Sequence, residues 1–296
     1  MLMANQYRQA VVILGMHRSG TSALAGTAVR LGLASPRTPL PTSDDNPTGF
    51  YESFPVVQVN HKILLAAGCG WNVCLTFEPN RLDGMLRPVD RQFILETLRR
   101  EFGNAASFVL KDPRLCLTLP AWLPALHATG AGVRVLIVAR HPVEVVRSLA
   151  VRNQHPQAEA APHWLHHMLE AEQASRGLNR AVVSYDNLTR DWRSCMAQAG
   201  MIANVTWPRP IELAGPDIDA FLAAASRHHE AEHASAVIGP APVCDMINAA
   251  WIAFRHLVSN PEASVALACL DQVRARFADW RRATFPPGFR AVFPTS

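Results

Sequence analysis

The sequence predicts an α/β fold: a P-loop-like parallel sheet flanked by helices, followed by a helical C-terminal extension. Three observations carry this. Short β-branched apolar runs alternate with stretches of helical period through the first two thirds of the chain, which implies a parallel sheet covered on both faces. The first run, Val11 to Leu14, leads through Gly-Met-His-Arg-Ser-Gly-Thr-Ser directly into a helical pattern, so a glycine-rich turn joins a strand to a helix. Beyond Gly215 the strand signal stops and only helical spacing remains.

The elements follow in order. Val11 to Leu14 is a strand by its β-branched content, and Ser22 to Leu33 has the helical period and good helix formers. Ser35 to Gly49 holds four prolines and the cluster Ser-Asp-Asp-Asn-Pro-Thr-Gly, which forces a loop at the surface or at the rim of a site. Phe54 to Ala67 and Arg87 to Phe102 read as helices. Ser107 to Leu110 is a second strand, ended by Lys111-Asp112-Pro113-Arg114. A helix over Leu119 to His127 precedes the buried strand Val133 to Ala139, which stops at Arg140-His141-Pro142. The helix Val143 to Val151 and a fourth strand, Ala181 to Ser184, come next. Helices over Asp217 to Ser235, Val243 to Val258 and Ala263 to Ala283 complete the chain. The α/β domain is thus expected over residues 1–214, and the extension over 215–296, packed on it and shaping one side of the site.

With 296 residues, 49% of them hydrophobic and 18% charged, the chain can bury a substantial core. Its apolar runs are too short to span a bilayer, and the first residues lack the charged, apolar and small-residue pattern of an export signal. A cytoplasmic protein without membrane insertion is expected, its six unpaired cysteines free thiols. The net charge of +4 suits an anionic ligand, but the basic residues are dispersed and not interleaved with aromatics, which argues against nucleic acid. Lys62 and Lys111 are the two lysines in a chain otherwise supplied with arginine.

Gly15 and Gly20, with Ser22 after them, keep the spacing of a triphosphate loop, but Thr21 stands at the lysine position and Arg18 supplies the charge. A helix N-terminus behind such a turn offers free N–H groups and a positive dipole end, so Arg18, Ser19, Gly20, Thr21 and Ser22 are candidates for holding an anion. His17, in the same loop, is read as structural. A magnesium site would need an acid at the end of the neighbouring strand, and that strand ends instead in Arg140. Ser148, eight residues on, can present a hydroxyl beside the same anion. Two separated anionic groups on one ligand, and no metal, are the expectation.

These segments together resemble the sulfotransferase family, in its bacterial type, over residues 10 to 192. RSGTS at Arg18 to Ser22 resembles the loop that holds the 5′-phosphosulfate of 3′-phosphoadenosine-5′-phosphosulfate, with Arg18 where small-molecule members have lysine. RHPVEVVRS at Arg140 to Ser148 resembles the 3′-phosphate motif. Tyr185-Asp186-Asn187-Leu188 is similar to a Tyr-Glu-x-Leu segment whose tyrosine side meets the adenine. KDPR at Lys111 is nearer the lysine motif of tyrosylprotein and carbohydrate sulfotransferases than that of the phenol enzymes, which place a histidine base where Pro113 stands. The resemblance therefore implies Glu52 as the base, with Asp112 and His61 as substitutes, and Lys111 and Arg18 as the charges on the sulfuryl group. It also implies a hydroxyl-bearing acceptor, with carbohydrate or glycoconjugate favoured over small phenols. The acceptor side is expected to be lined by the Ser35–Gly49 loop, Gly68 to Phe77 with Trp71, and the C-terminal third.

Three further features are weighed and set aside. His163, His166 and His167, and His229 with Glu230 and His233, lie at helical spacing, yet no cysteine completes a zinc set. Arg274, Arg276, Arg281, Arg282 and Arg290 form a solvated face that could steer an anionic acceptor. The competing functions are a nucleotide or sugar kinase, which would need a loop lysine and an acidic magnesium ligand, and a degenerate nucleotide-binding module, which would have lost Glu52 or Lys111.

Overall fold

Alternation along each strand decides the architecture. In the computed structural model, which describes residues 8–44, 46–70, 75–79, 82–153, 156–226 and 239–285, four strands form one parallel sheet in the order β2-β1-β3-β4. They are β1 (Gln9–Leu14), β2 (Ser107–Lys111), β3 (Gly132–Ala139) and β4 (Asn179–Ser184). In register, Val12 stands beside Leu110 on one side and Val135 on the other. Val11, Ile13, Val109, Leu136 and Val138 point to one face, and Ala10, Val12, Leu14, Leu110 and Ile137 to the opposite one. Both sets are buried, which is why the strands read as unbroken apolar runs rather than as alternating ones.

The helices are α1 (Thr21–Arg30), α2 (Phe54–Ala66), the one-turn α3 (Leu82–Met85), α4 (Pro88–Phe102), α5 (Leu115–Ala128) and α6 (Pro142–Asn153), then α7 (Gln157–Ser175), α8 (Tyr185–Arg190), α9 (Trp192–Ala203), α10 (Gly215–Ser226), α11 (Ala241–Leu257) and α12 (Ser264–Thr284). The Val11 face is covered by α1, α9 and α10, and the Val12 face by α5 and α7 with α11 and α12 outside them. The C-terminal helices therefore divide between the two faces.

Three expectations shift. The helix expected from Leu119 begins a turn earlier, at Leu115, and takes Pro120 and Pro124 into its interior. Helix α7 was not expected: its residues from Ala160 to Leu169 are all buried, so they show no apolar stripe of helical period. The proposed steering face also turns partly inward. Arg274 donates to the buried Glu172 (3.1 Å), and Arg281 to the carbonyls of Leu75 (3.0 Å) and Phe77 (3.1 Å). Helix α10 is described as far as Ser226. The His229–His233 set, Arg290, Trp71 and Cys74 lie outside the described residues. Cys69, Cys116, Cys195 and Cys269 are free thiols. Among the described residues no helix is long and apolar enough to cross a membrane.

Candidate active site

The carboxyl ends of β1, β2 and β3 open onto one cleft. After β1 the chain turns with Ser19 N–H on Met16 C=O (3.0 Å), and Gly15, Arg18 and Gly20 take positive φ values of 148°, 69° and 91°. No side chain caps α1, whose N-cap is Gly20, so its first turn faces the cleft with its dipole end uncovered. Thr21 is buried, with its methyl group 3.0 Å from where a Gly15 Cβ would lie, so the residue at the lysine position packs against the loop at the floor of the cleft. Gly15 N–H donates to Cys116 Sγ (3.1 Å), and burial pushes that thiol up to about 12, which keeps it protonated and unreactive.

A Cβ on Gly20 would meet Tyr185 Cδ2 at 2.1 Å, and the φ is one that L side chains rarely adopt. Gly20→Ala is therefore expected to cost about 1 to 3 kcal/mol of stability, read by urea unfolding. A loss below a few tenths of a kcal/mol would mean that the Tyr185 ring yields freely.

The loop side of the cleft is internally tied. Arg18 Nε donates to Ser148 Oγ (2.8 Å), and Arg18 C=O accepts from Arg140 NH1 (3.1 Å). Arg140 is buried, pairs with Glu144 (2.7 Å), and lies 4.5 Å from the centre of the Tyr185 ring. The residues of the two anion motifs are thus brought together across β1, β3 and α6. Of the expected site residues, Arg18, Gly20, Thr21, Ser22, Glu52, Lys111, Arg140 and Tyr185 line the cleft; Ser19 and Ser148 do not. Ser19 Oγ is buried with no hydrogen-bond partner among the described residues.

At the tip of β2, Lys111 Nζ donates to Glu52 Oε1 (2.5 Å), Phe50 C=O (3.0 Å) and Ser22 Oγ (3.1 Å). Both members of the pair are buried, with side-chain exposures of 2% and 7%. The turn carrying Glu52 is held from behind: the buried Glu101 accepts from Thr38 N–H (3.1 Å), Thr38 Oγ1 (2.7 Å) and Ser53 Oγ (2.9 Å), while Ser53 caps α2. Burial raises the Glu52 carboxyl above its ordinary range, against the opposing pull of Lys111. A carboxylate held this way has the basicity to take a proton from a hydroxyl.

Neither substitute base is positioned for that role. Asp112 is fully buried and accepts from Asn60 Nδ2 (2.8 Å), Arg114 NH1 (2.9 Å) and Arg114 N–H (3.0 Å), while Asn60 Oδ1 accepts from Thr118 and Trp122 (both 2.7 Å). His61 is exposed and lies outside the cleft. The remaining walls are Asn46, Pro47, Thr48 and Phe50 from the proline-rich loop, and Ala224 and Ala225 from α10. Leu75 and Phe77, expected at the acceptor side, are buried in the core instead.

Two titratable lining residues were given no ligand role from sequence. His17 faces the cleft, and burial, with the nearby charge of Arg114, holds its imidazole well below its ordinary value and so neutral. Arg152 enters from the end of α6, its guanidinium 5.7 Å from the centre of the Phe50 ring. Its position, four residues after Ser148, was the available signal.

No protein-family model and no curated protein matches this sequence. Among solved structures the chain is similar to a sulfotransferase from Mycobacterium avium, at 14% identity and TM-score 0.47 over 97% of this chain and 79% of that one. It is also similar to the sulfotransferase domain of a Synechococcus olefin synthase (17%, TM-score 0.45, covering 81% and 93%) and to that of the curacin biosynthetic pathway (14%, TM-score 0.42, covering 70% and 78%). Likenesses of this size carry no weight on chemistry.

Proposed function

We propose that this chain is a sulfotransferase, moving the sulfuryl group of 3′-phosphoadenosine-5′-phosphosulfate to an acceptor hydroxyl, with carbohydrate or glycoconjugate acceptors favoured over phenols. The observation that carries the reading is the buried Lys111–Glu52 pair at the end of β2, set against an anion loop whose lysine position holds Thr21. A base and a cation then share one point of the cleft, and Arg140 stands where a triphosphate enzyme would carry its acidic magnesium ligand.

The chemistry follows from those positions. Glu52 takes the proton of the acceptor hydroxyl as its oxygen bonds to sulfur. The bond from sulfur to the 5′-phosphate oxygen breaks, and its electron pair leaves with the bisphosphate. Lys111, Arg18 and the N–H groups at the start of α1 stabilise the charge gathering on the sulfuryl and leaving oxygens, each positioned group contributing about 3 to 4 kcal/mol. Proton transfer weakens the attraction of Lys111 for Glu52, which frees its charge for the leaving side.

Arg140 is the test of the donor. A 3′-phosphate there replaces Glu144 as the partner of a buried guanidinium. Adenosine 3′,5′-bisphosphate should raise the unfolding temperature well above the rise given by AMP, since a ligand at a hundred times its Kd adds about 2.7 kcal/mol. Equal shifts would remove Arg140 and Ser148 from the donor site.

A further inference from the structure

Glu52 follows a strained point of the chain. Tyr51, immediately before it, has φ 57°, in the left-handed region that bulky L residues seldom enter. A glycine would take this backbone freely, so a tyrosine here needs contacts that offset the strain. Its side chain makes them. The Tyr51 hydroxyl accepts from Arg30 NH1 (2.9 Å), and the ring meets Phe221 of α10 edge-on, with centroids 6.0 Å apart and planes at 88°. The Arg30 guanidinium lies 3.9 Å from the centre of that Phe221 ring. Gly26 of α1 makes room for both rings, since a Cβ there would meet Phe221 Cζ at 2.2 Å and Tyr51 Cε2 at 2.9 Å. Neither Tyr51 nor its three partners lines the cleft.

The two residues that flank Tyr51 both hold the same amine. Phe50 C=O and Glu52 Oε1 accept from Lys111 Nζ, at 3.0 and 2.5 Å. A return of Tyr51 to an ordinary negative φ would rotate the chain before it against the chain after it, and the two acceptors could not both keep Lys111. Beyond the base the backbone has other ties: Leu40 N–H donates to Glu52 C=O (2.7 Å), and Ser53 Oγ to Glu101 (2.9 Å). Those bonds fix the chain after the base, and the Tyr51 side chain fixes it before.

We infer that Tyr51 is a positioning residue: its ring, clamped between Gly26 of α1 and Phe221 of α10, holds the left-handed turn that sets Glu52 against Lys111. The inference rests on the sulfotransferase reading for the role of Glu52 as base, and on the clamp for what keeps that carboxylate in place. Helix α10, which gives Ala224 and Ala225 to the cleft wall, thereby also acts on the base through Phe221.

The two lysines provide the test. Lys62 is exposed and Lys111 buried, so acetylation of the full chain by N-hydroxysuccinimidyl acetate, read peptide by peptide by mass spectrometry, carries its own reference. In the wild type Lys62 should react and Lys111 stay protected. Tyr51→Asn suits a left-handed backbone but lacks the clamped ring; below its unfolding temperature it should speed acetylation of Lys111 at least about tenfold, with Lys62 unchanged. Tyr51→Phe keeps the ring and should stay within about threefold of the wild type. Affinity for adenosine 3′,5′-bisphosphate should be the same in all three. Lys111 as protected in Tyr51→Asn as in the wild type, an equal loss of protection in Tyr51→Phe, a rise at both lysines together, or a parallel loss of bisphosphate affinity overturns the inference. If Tyr51→Asn does not fold, Gly26→Ala replaces it: the added methyl displaces the ring without removing it, and unchanged protection of Lys111 there overturns the inference too. A wild-type chain that does not bind the bisphosphate counts against the donor, and the labelling still decides the hold of Tyr51.

Discussion

Glu52→Gln is expected to lower sulfuryl transfer at least about a hundredfold while leaving bisphosphate affinity nearly unchanged. The substitution keeps the shape of the side chain and an oxygen that can accept from Lys111, so the turn tied down by Glu101 should hold. What it removes is the lone pair that takes the acceptor proton. The pH profile gives a second, independent readout. Burial raises the Glu52 carboxyl, and a base works only when deprotonated, so wild-type kcat/KM should climb with pH through that raised value and fall below it. The glutamine variant should lose this acidic limb altogether. A fall in turnover of less than about tenfold, with the limb intact, would take the base away from Glu52. Asp112 would not inherit the role without breaking its bonds to Asn60 and Arg114.

What could be read in the chain beforehand follows a physical line. Strand ends were legible because proline and charge interrupt apolar runs there, and the candidate site residues lie at those ends: Lys111 as the last residue of β2, Arg140 after β3, Tyr185 after β4. Glu52 was legible only through family resemblance, since nothing in a solvated-looking loop marks a carboxylate that folding will press against a lysine. Partner choice was harder still. The acid in KDPR serves Asn60, a contact across 52 residues, and Arg140 faces Glu144. The spacing from Arg140 to Glu144 was visible, but only the fold shows that both side chains turn to the same side. Helix α7 escaped for the opposite reason: burial all round erases the contrast on which periodicity depends.

That helix carries the other large effect. Glu172 of α7, fully buried, accepts from Arg176 (2.8 and 2.9 Å), from Arg180 of β4 (3.0 Å) and from Arg274 of α12 (3.1 Å). Arg180, with 2% side-chain exposure, also reaches Glu262 and the Pro261 carbonyl (both 3.0 Å), so one cluster joins the sheet to α12 and the turn that precedes it. Arg176 and Arg274, 28% and 23% exposed, can turn to water if the acid is lost. Arg180 cannot, and its remaining acid, Glu262, is itself 62% exposed. Glu172→Met should therefore cost about 3 to 5 kcal/mol in urea unfolding, as an uncompensated buried charge does. Glu172→Met with Arg180→Met should recover much of that loss, because the charge left without its partner is then gone as well. A single-variant loss below about 1 kcal/mol would mean that Pro261 and Glu262 suffice to hold Arg180. Bisphosphate binding should survive in the folded fraction of either variant, since Arg180 lies at the start of β4 and the cleft opens beyond the opposite end of the sheet.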